Sequence, residues 1–89
     1  MDEQQISSEA IMRAEIAIAI MNTARGLLSE RVATIEVEDP DAAEKMREKR
    51  RALLAVQNRI RAGDGTQVEG VIREWGPRVR DAGVFWREL

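Results

Sequence analysis

The 89 residues carry 14 Lys and Arg against 16 Asp and Glu, a net charge of -2, and 44% of them are hydrophobic. A chain of this size holds a single core, and its charge balance excludes a highly charged disordered tail. It contains no Cys, His or Tyr, so disulfides, thiolate nucleophiles, ordinary zinc sites and imidazole acid–base chemistry are excluded by inventory.

The first element in chain order is a long helical pattern. Ile6 precedes Ser7, an N-cap residue type, and Ile11 follows at the fourth helical position, the spacing of a hydrophobic staple. A helix over 7–35 is predicted. Ala10, Ala14, Ala17, Met21, Ala24, Leu28 and Val32 recur at steps of three and four along it. Placing residues about 100° apart puts Ile16, Ile20 and Leu27 on a second flank and Ile11 with Ile18 on a third. The alternation from Ile16 to Ile20 also suits a buried strand, but the surrounding period of three and four and the alanines outweigh it.

A helix apolar over most of its circumference needs cover on several sides, which one 22-residue partner helix cannot give. At about 1.5 Å per residue it is also roughly 40 Å long, more than a compact domain of this size needs. Both features predict pairing between chains, with Ile11, Ala14, Ala17, Ile18, Met21, Ala24 and Leu28 as the dimer interface.

Thr34 to Glu38 alternate and include three β-branched side chains, which suits a short strand or an extended link. Asp39 and Pro40 then give a cap and a first helical position, opening a helix over 40–62. Its apolar stripe runs through Ala42, Met46, Leu53, Val56 and Ile60, with Lys49 at one seam position, and Gly63 ends it. Thr66 and Glu69 have capping-box spacing, and Val68, Val71, Ile72 and Trp75 share a face, so a short helix over 66–75 follows. Gly70 weakens that helix by about 1 kcal/mol relative to Ala, and Gly76-Pro77 should break it, leaving a C-terminal segment over 77–89 with a helical turn or two. The predicted fold is a single all-α domain spanning 1–89, a long two-helix antiparallel hairpin with a short helical C-terminal cap, assembled as a homodimeric helical bundle.

Charge is unevenly spread: residues 1–39 are acidic, and residues 40–62 hold 7 basic and 3 acidic side chains. Lys45, Arg47, Lys49, Arg50 and Arg51 have a density that suits phosphate contacts, the basis of a DNA-binding regulator or antitoxin-like alternative. Glu44 and Glu48 interrupt the run and the acidic first helix lies alongside, which favours cross-hairpin ion pairs worth roughly 0 to 1 kcal/mol each. The aromatic residues Trp75, Phe85 and Trp86 all fall in the last quarter of the chain. They either plug the open end of the hairpin or, with Arg87, anchor a partner protein, since Trp and Arg are enriched at interface hot spots. The Gly-rich segment 63–70 lacks the Lys-Ser/Thr of a phosphate loop and follows a helix, so a turn plus a cap explains it. Glu36, Glu38, Asp39 and Asp41 lack the central-Gly loop of an oxygen-ligand cation site and are assigned to the surface.

Leu27-Leu28-Ser29-Glu30-Arg31 resembles the Leu-Leu-x-Glu-Arg stretch of the helical chorismate mutases, small proteins that pair through an extended first helix. The resemblance spans five residues and implies a dicarboxylate site built from converging cations, including a Lys shortly after this stretch. Residues 32–44 contain no basic side chain and the third helix is short and interrupted by Gly, so that activity is not expected. Ser7 is committed to a cap, and Ser8 and Ser29 have no evident base.

The expected function is binding without catalysis, metal or cofactor: an adaptor or inhibitor that docks on a larger cytoplasmic protein, a form common among small accessory proteins of phage and mobile elements. Met1 is followed by Asp2 and Glu3 rather than by a basic and then apolar stretch, and the purest apolar run, Ile16 to Met21, is far short of the roughly 20 residues of a membrane span. A cytoplasmic protein with no membrane partner is therefore expected.

Overall fold

A computed structural model describes residues 3–89, with side chains from residue 8 onward. The chain is all-α, a bundle of four helices: α1 (Glu3–Ile35), α2 (Pro40–Arg61), α3 (Val68–Val79) and α4 (Ala82–Glu88). α1 starts at Glu3, so Ser7 stands inside the helix rather than at its cap. The Ile6 side chain of the expected Ile6–Ile11 staple lies outside the described ones, and Ile11 itself is exposed. At the other end, Thr34 donates from Oγ1 to the carbonyl of Glu30 and remains helical with Ile35, and residues 36–38 form a turn. The β-branched run therefore does not become a strand: main-chain bonds from Glu36 to Val32 (3.0 Å) and from Asp39 to Ile35 (2.8 Å) carry the helical winding to its end.

Asp39 caps α2 by accepting from the backbone N–H of Ala42 at 3.1 Å, with Pro40 at the first helical position, an arrangement worth about 1 kcal/mol. α2 ends in a Schellman motif. The N–H of Gly63 bonds the carbonyl of Ile60 and that of Asp64 the carbonyl of Arg59, both at 3.0 Å, and Gly63 takes the positive φ of 99° that this motif requires.

α3 departs from its predicted form in two ways. Thr66 does not cap it: the hydroxyl donates to Asp64 Oδ1 at 2.7 Å, Glu69 is drawn to Arg13 on α1, and Gln67 occupies the N-cap without a side-chain capping bond, its Oε1 accepting from Arg59 Nε instead. The helix also runs through Gly76 and Pro77 to Val79. Val68, Val71, Ile72, Trp75 and Val79 all pack on one core, and burial on both sides of the proline offsets the lost main-chain bond. Gly76 is itself buried against α1, where an added Cβ would stand 3.7 Å from Ile20 Cδ1. Asp81 then caps α4 by accepting from Gly83 N at 2.8 Å.

Cross-helix contacts fix the directions. Glu36 meets Arg47, Ser29 meets Arg50, and Ile18 and Arg25 meet Gln57, so α2 runs opposite to α1. Arg13 meets Glu69 and Ile20 meets Gly76, so α3 runs in the same sense as α1, and Arg31 meets Trp86, which places α4 further along α1. The C-terminal third is thus a third rod along α1 rather than a plug at the hairpin's open end. The core joins Ala17, Met21, Ala24 and Leu28 of α1 to Leu53 and Ile60 of α2, Val68 and Val71 of α3 and Phe85 of α4.

Candidate functional site

The helix directions decide which part of α1 is left uncovered. Toward the N-terminus of α1, Arg13 makes a paired contact to Glu69 of α3, in which Nε reaches Oε1 at 2.9 Å and Nη2 reaches Oε2 at 2.6 Å. Around and before it, Ile11 and Met12 are each 60% exposed and Ile16 40%. Beside this end lies an open groove of about 570 Å³, lined on α1 by Ala10, Ile11, Ala14 and Ile18 and on the facing side by Ile60, Arg61 and Val68. Its walls form because α2 ends at Arg61 and the turn through Gly63 and Gly65 carries the chain to α3, while α1 continues past both.

The residues predicted to pair two chains are therefore divided. Ala17, Met21, Ala24 and Leu28 are buried in the chain's own core, Ala14 and Ile18 are half-buried, and Ile11 is exposed. The correction has a plain cause: α3 and α4 give α1 a second cover that a short cap at the hairpin end would not give. Met12 and Ile16 join Ile11 at the uncovered end. Ile16 belonged to the second apolar flank in the sequence, whereas Met12 fell on no stripe.

The aromatic residues predicted to anchor a partner form an internal cluster. Phe85 is 0% exposed, stacked edge-on to Trp86 with centroids 4.9 Å apart and tilted against Trp75 at 6.2 Å. Its burial removes it from any surface a partner could reach. Trp75 and Trp86 are half-buried and Arg87 is exposed. Arg31 lies 4.0 Å over the Trp86 ring and Arg78 lies 4.9 Å over that of Trp75, cation–π contacts that cover the outer ring faces. Arg78 also bonds Glu88 at 3.1 Å, tying α3 to α4.

On α2, Arg47 is paired with Glu36 (2.9 Å) and Glu44 (3.3 Å), Arg51 with Glu44 (3.0 Å), and Arg50 donates to Ser29 Oγ at 3.0 Å. The hydrogen bonds from Arg51 and then Arg47 hold the Glu44 carboxyl below its ordinary range. Lys45 and Lys49 point to solvent. The basic stretch is thus split between bound arginines and two separated lysines. Glu36 is spent on Arg47 and Asp39 on the α2 cap, and among the described residues no group of three or more His, Cys, Asp or Glu is placed to hold a metal ion. Among them, too, no helix is long and apolar enough to cross a membrane.

Gln57 was missed by the reading of the sequence. It is fully buried, accepts from Arg25 Nη1 at 2.8 Å and donates from Nε2 to the carbonyl of Ile18 at 3.3 Å. The only hint was its place four residues after Leu53 and three before Ile60, on the face of α2 that carries the apolar stripe. Comparison with protein-family models, curated proteins and solved structures finds no match to this chain.

Proposed function

We propose that the protein is a non-catalytic helical interaction module, an adaptor or inhibitor that works in the cytoplasm by binding other protein chains and modulating a larger one. The observation that carries this reading is the gathering of Ile11, Met12 and Ile16, three of the large exposed apolar side chains among the described residues, at one end of α1 beside an apolar groove. Isolated exposed apolar residues are ordinary, but a contiguous patch with a groove at its edge marks a place where protein surfaces meet. Side-chain chemistry favours binding over catalysis. His and Cys are missing, and the carboxyls of Glu44, Asp64 and Glu69 are exposed and shifted downward, away from the raised values that suit a general acid. Nucleic-acid binding through α2 is the weaker reading, because Arg47, Arg50 and Arg51 already have partners within the chain.

The test is a photo-cross-linking side chain placed at Met12 and, as a control, at Lys45 in cells producing the protein. Protein adducts are expected from position 12 and few from position 45. An absence of adducts at position 12 would remove this end of α1 as a contact surface.

A further inference from the structure

We infer that the larger protein presents an acidic helix to the open side of the α1–α2 seam, where two of its carboxylates, two turns apart, meet Arg25 and Arg50. This second surface rests on the reading of the chain as an interaction module, and it gives the chemistry of the partner.

The pairing of the arginines singles out these two. Arg13, Arg47, Arg51 and Arg78 each bond a carboxylate, and Arg31 covers the Trp86 ring. Arg25 and Arg50 are half-buried, yet each bonds only a neutral acceptor, Gln57 Oε1 and Ser29 Oγ respectively. Neither forms an ion pair among the described residues. Their other guanidinium nitrogens make no hydrogen bond within the described chain, and apart from Arg25 Nε none of them is sealed from solvent. A half-buried cation has lost part of its hydration, and the planar fork of an arginine recovers most from a carboxylate, which it can take in two parallel bonds. The hairpin supplies none at this level. From Ile16 to Ser29 on α1 and from Lys49 to Ala62 on α2 there is no acidic residue.

The two arginines share one face. At about 100° per residue, Ile18, Asn22, Arg25 and Ser29 fall within about 60° of one another on α1, and Arg50, Leu54 and Asn58 within about 80° on α2. The bond of Arg50 to Ser29 and those of Gln57 to Arg25 and Ile18 join the two helices along this line. α3 leaves it open, because it packs on α1 through Ile20, about 180° from Ser29.

Spacing gives the form of the partner. Arg25 reaches Gln57, seven residues beyond Arg50 on α2, so the two guanidiniums stand about 10 Å apart along the seam. Glutamates at i and i+7 of a helix have the same rise. Half-buried Leu54 lies between the arginines, and it calls for an apolar side chain midway between those glutamates. Nucleic acid fits this face less well. Glu15 stands toward one end and the Glu36–Arg47 pair toward the other, which opposes a long polyanion but spares a short segment with two charges.

The test is a titration of the isotope-labelled chain, read by NMR at the arginine Nε–H groups. The probe is a capped, alanine-rich helical peptide of about 20 residues, with two glutamates seven positions apart and a leucine midway. A Kd of about 1 mM or tighter is expected at physiological salt. Glutamine in place of both glutamates should weaken binding by more than about tenfold. Arg50→Gln should weaken it by about fivefold or more, whereas Lys45→Gln, which removes the same charge from the opposite side of α2, should leave it within about twofold. Circular dichroism of both variants should match the wild type. Absence of binding at about 2 mM peptide overturns the proposal, as do equal losses from Arg50→Gln and Lys45→Gln, which would reflect net charge alone. A single-stranded oligonucleotide of about 15 nucleotides that binds more tightly than the peptide would overturn it in favour of nucleic acid. Protein adducts at Met12 beside a peptide that fails to bind would remove this surface and leave the interaction module in place.

Discussion

Gln57 and Arg25 form a polar link inside the apolar contact between α1 and α2. Arg25 Nε is buried without a hydrogen-bond partner, so the guanidinium depends on the Nη1 bond to Gln57. Replacing Gln57 by Leu strands that cation and should cost about 1–3 kcal/mol in urea denaturation. Arg25→Met with Gln57→Leu should regain most of the loss, because both polar partners are gone together. Costs that simply add would show that the two side chains are not coupled. A second residue-scale prediction concerns acid. Hydrogen bonding from Arg13, reinforced by its charge, holds the Glu69 carboxyl below the ordinary range. Such a depressed group contributes stability that is complete above the ordinary Glu value of about 4.3 and fades as the pH falls through that value and below it. The stability difference between wild type and Glu69→Gln, followed by urea midpoints, should therefore be present at neutral pH and disappear in acid. Both side chains are exposed, so added salt should shrink it. A difference that grows in acid would contradict the pairing. The apolar partners in this core were legible in the sequence because Ala17, Met21, Ala24 and Leu28 keep a helical period. Gln57 was not, since a polar side chain at a seam position carries no sign that its own hydrogen bonds permit burial.

At the scale of single helices, backbone conformation separates the glycines. Gly26 lies in the exposed middle of α1 with nothing within 4 Å of an added Cβ, so Gly26→Ala should stabilise by about 0.5–1 kcal/mol. Gly63 has equal room but a φ of 99°, and Gly63→Ala should destabilise by about 1 kcal/mol, because a Cβ strains the left-handed backbone. Thermal melts of the two variants should move in opposite directions, and a shift in the same direction would contradict the helix ends described here. The end of α2 was readable from Asp39-Pro40 and Gly63, where the local chemistry leaves few choices. The run of α3 through Pro77 was not. Proline's penalty is local and visible in sequence, whereas the burial of Trp75 and Val79 that offsets it depends on helices far away in the chain. The capping box failed for a similar reason: Glu69 found Arg13, a partner that no local pattern could propose.

For the whole molecule, α1 is the element that the others share. The sequence indicated correctly that this helix needs cover on several sides. It misplaces the source of that cover for Ala17, Met21, Ala24 and Leu28, because the C-terminal third is a companion rod rather than a cap. Unequal enclosure along α1 should be visible in the hydrogen exchange of its amides. Amides between residues 8 and 14 should exchange much faster than those between 17 and 32, because local opening costs least where few neighbours are buried. Uniform protection along α1 would show that its N-terminal end is held by contacts the fold does not display. The course of the C-terminal third along α1 has a further consequence. Arg13 with Glu69, Ile20 with Gly76 and Arg31 with Trp86 stay in step along the shared direction. One residue inserted between Arg13 and Arg31 would turn everything beyond it by about 100° and throw both neighbouring helices out of phase at once. The same insertion at Gly65 would merely lengthen a surface turn. Evolution of this chain should therefore tolerate insertions and deletions in its turns while conserving the length of its first helix.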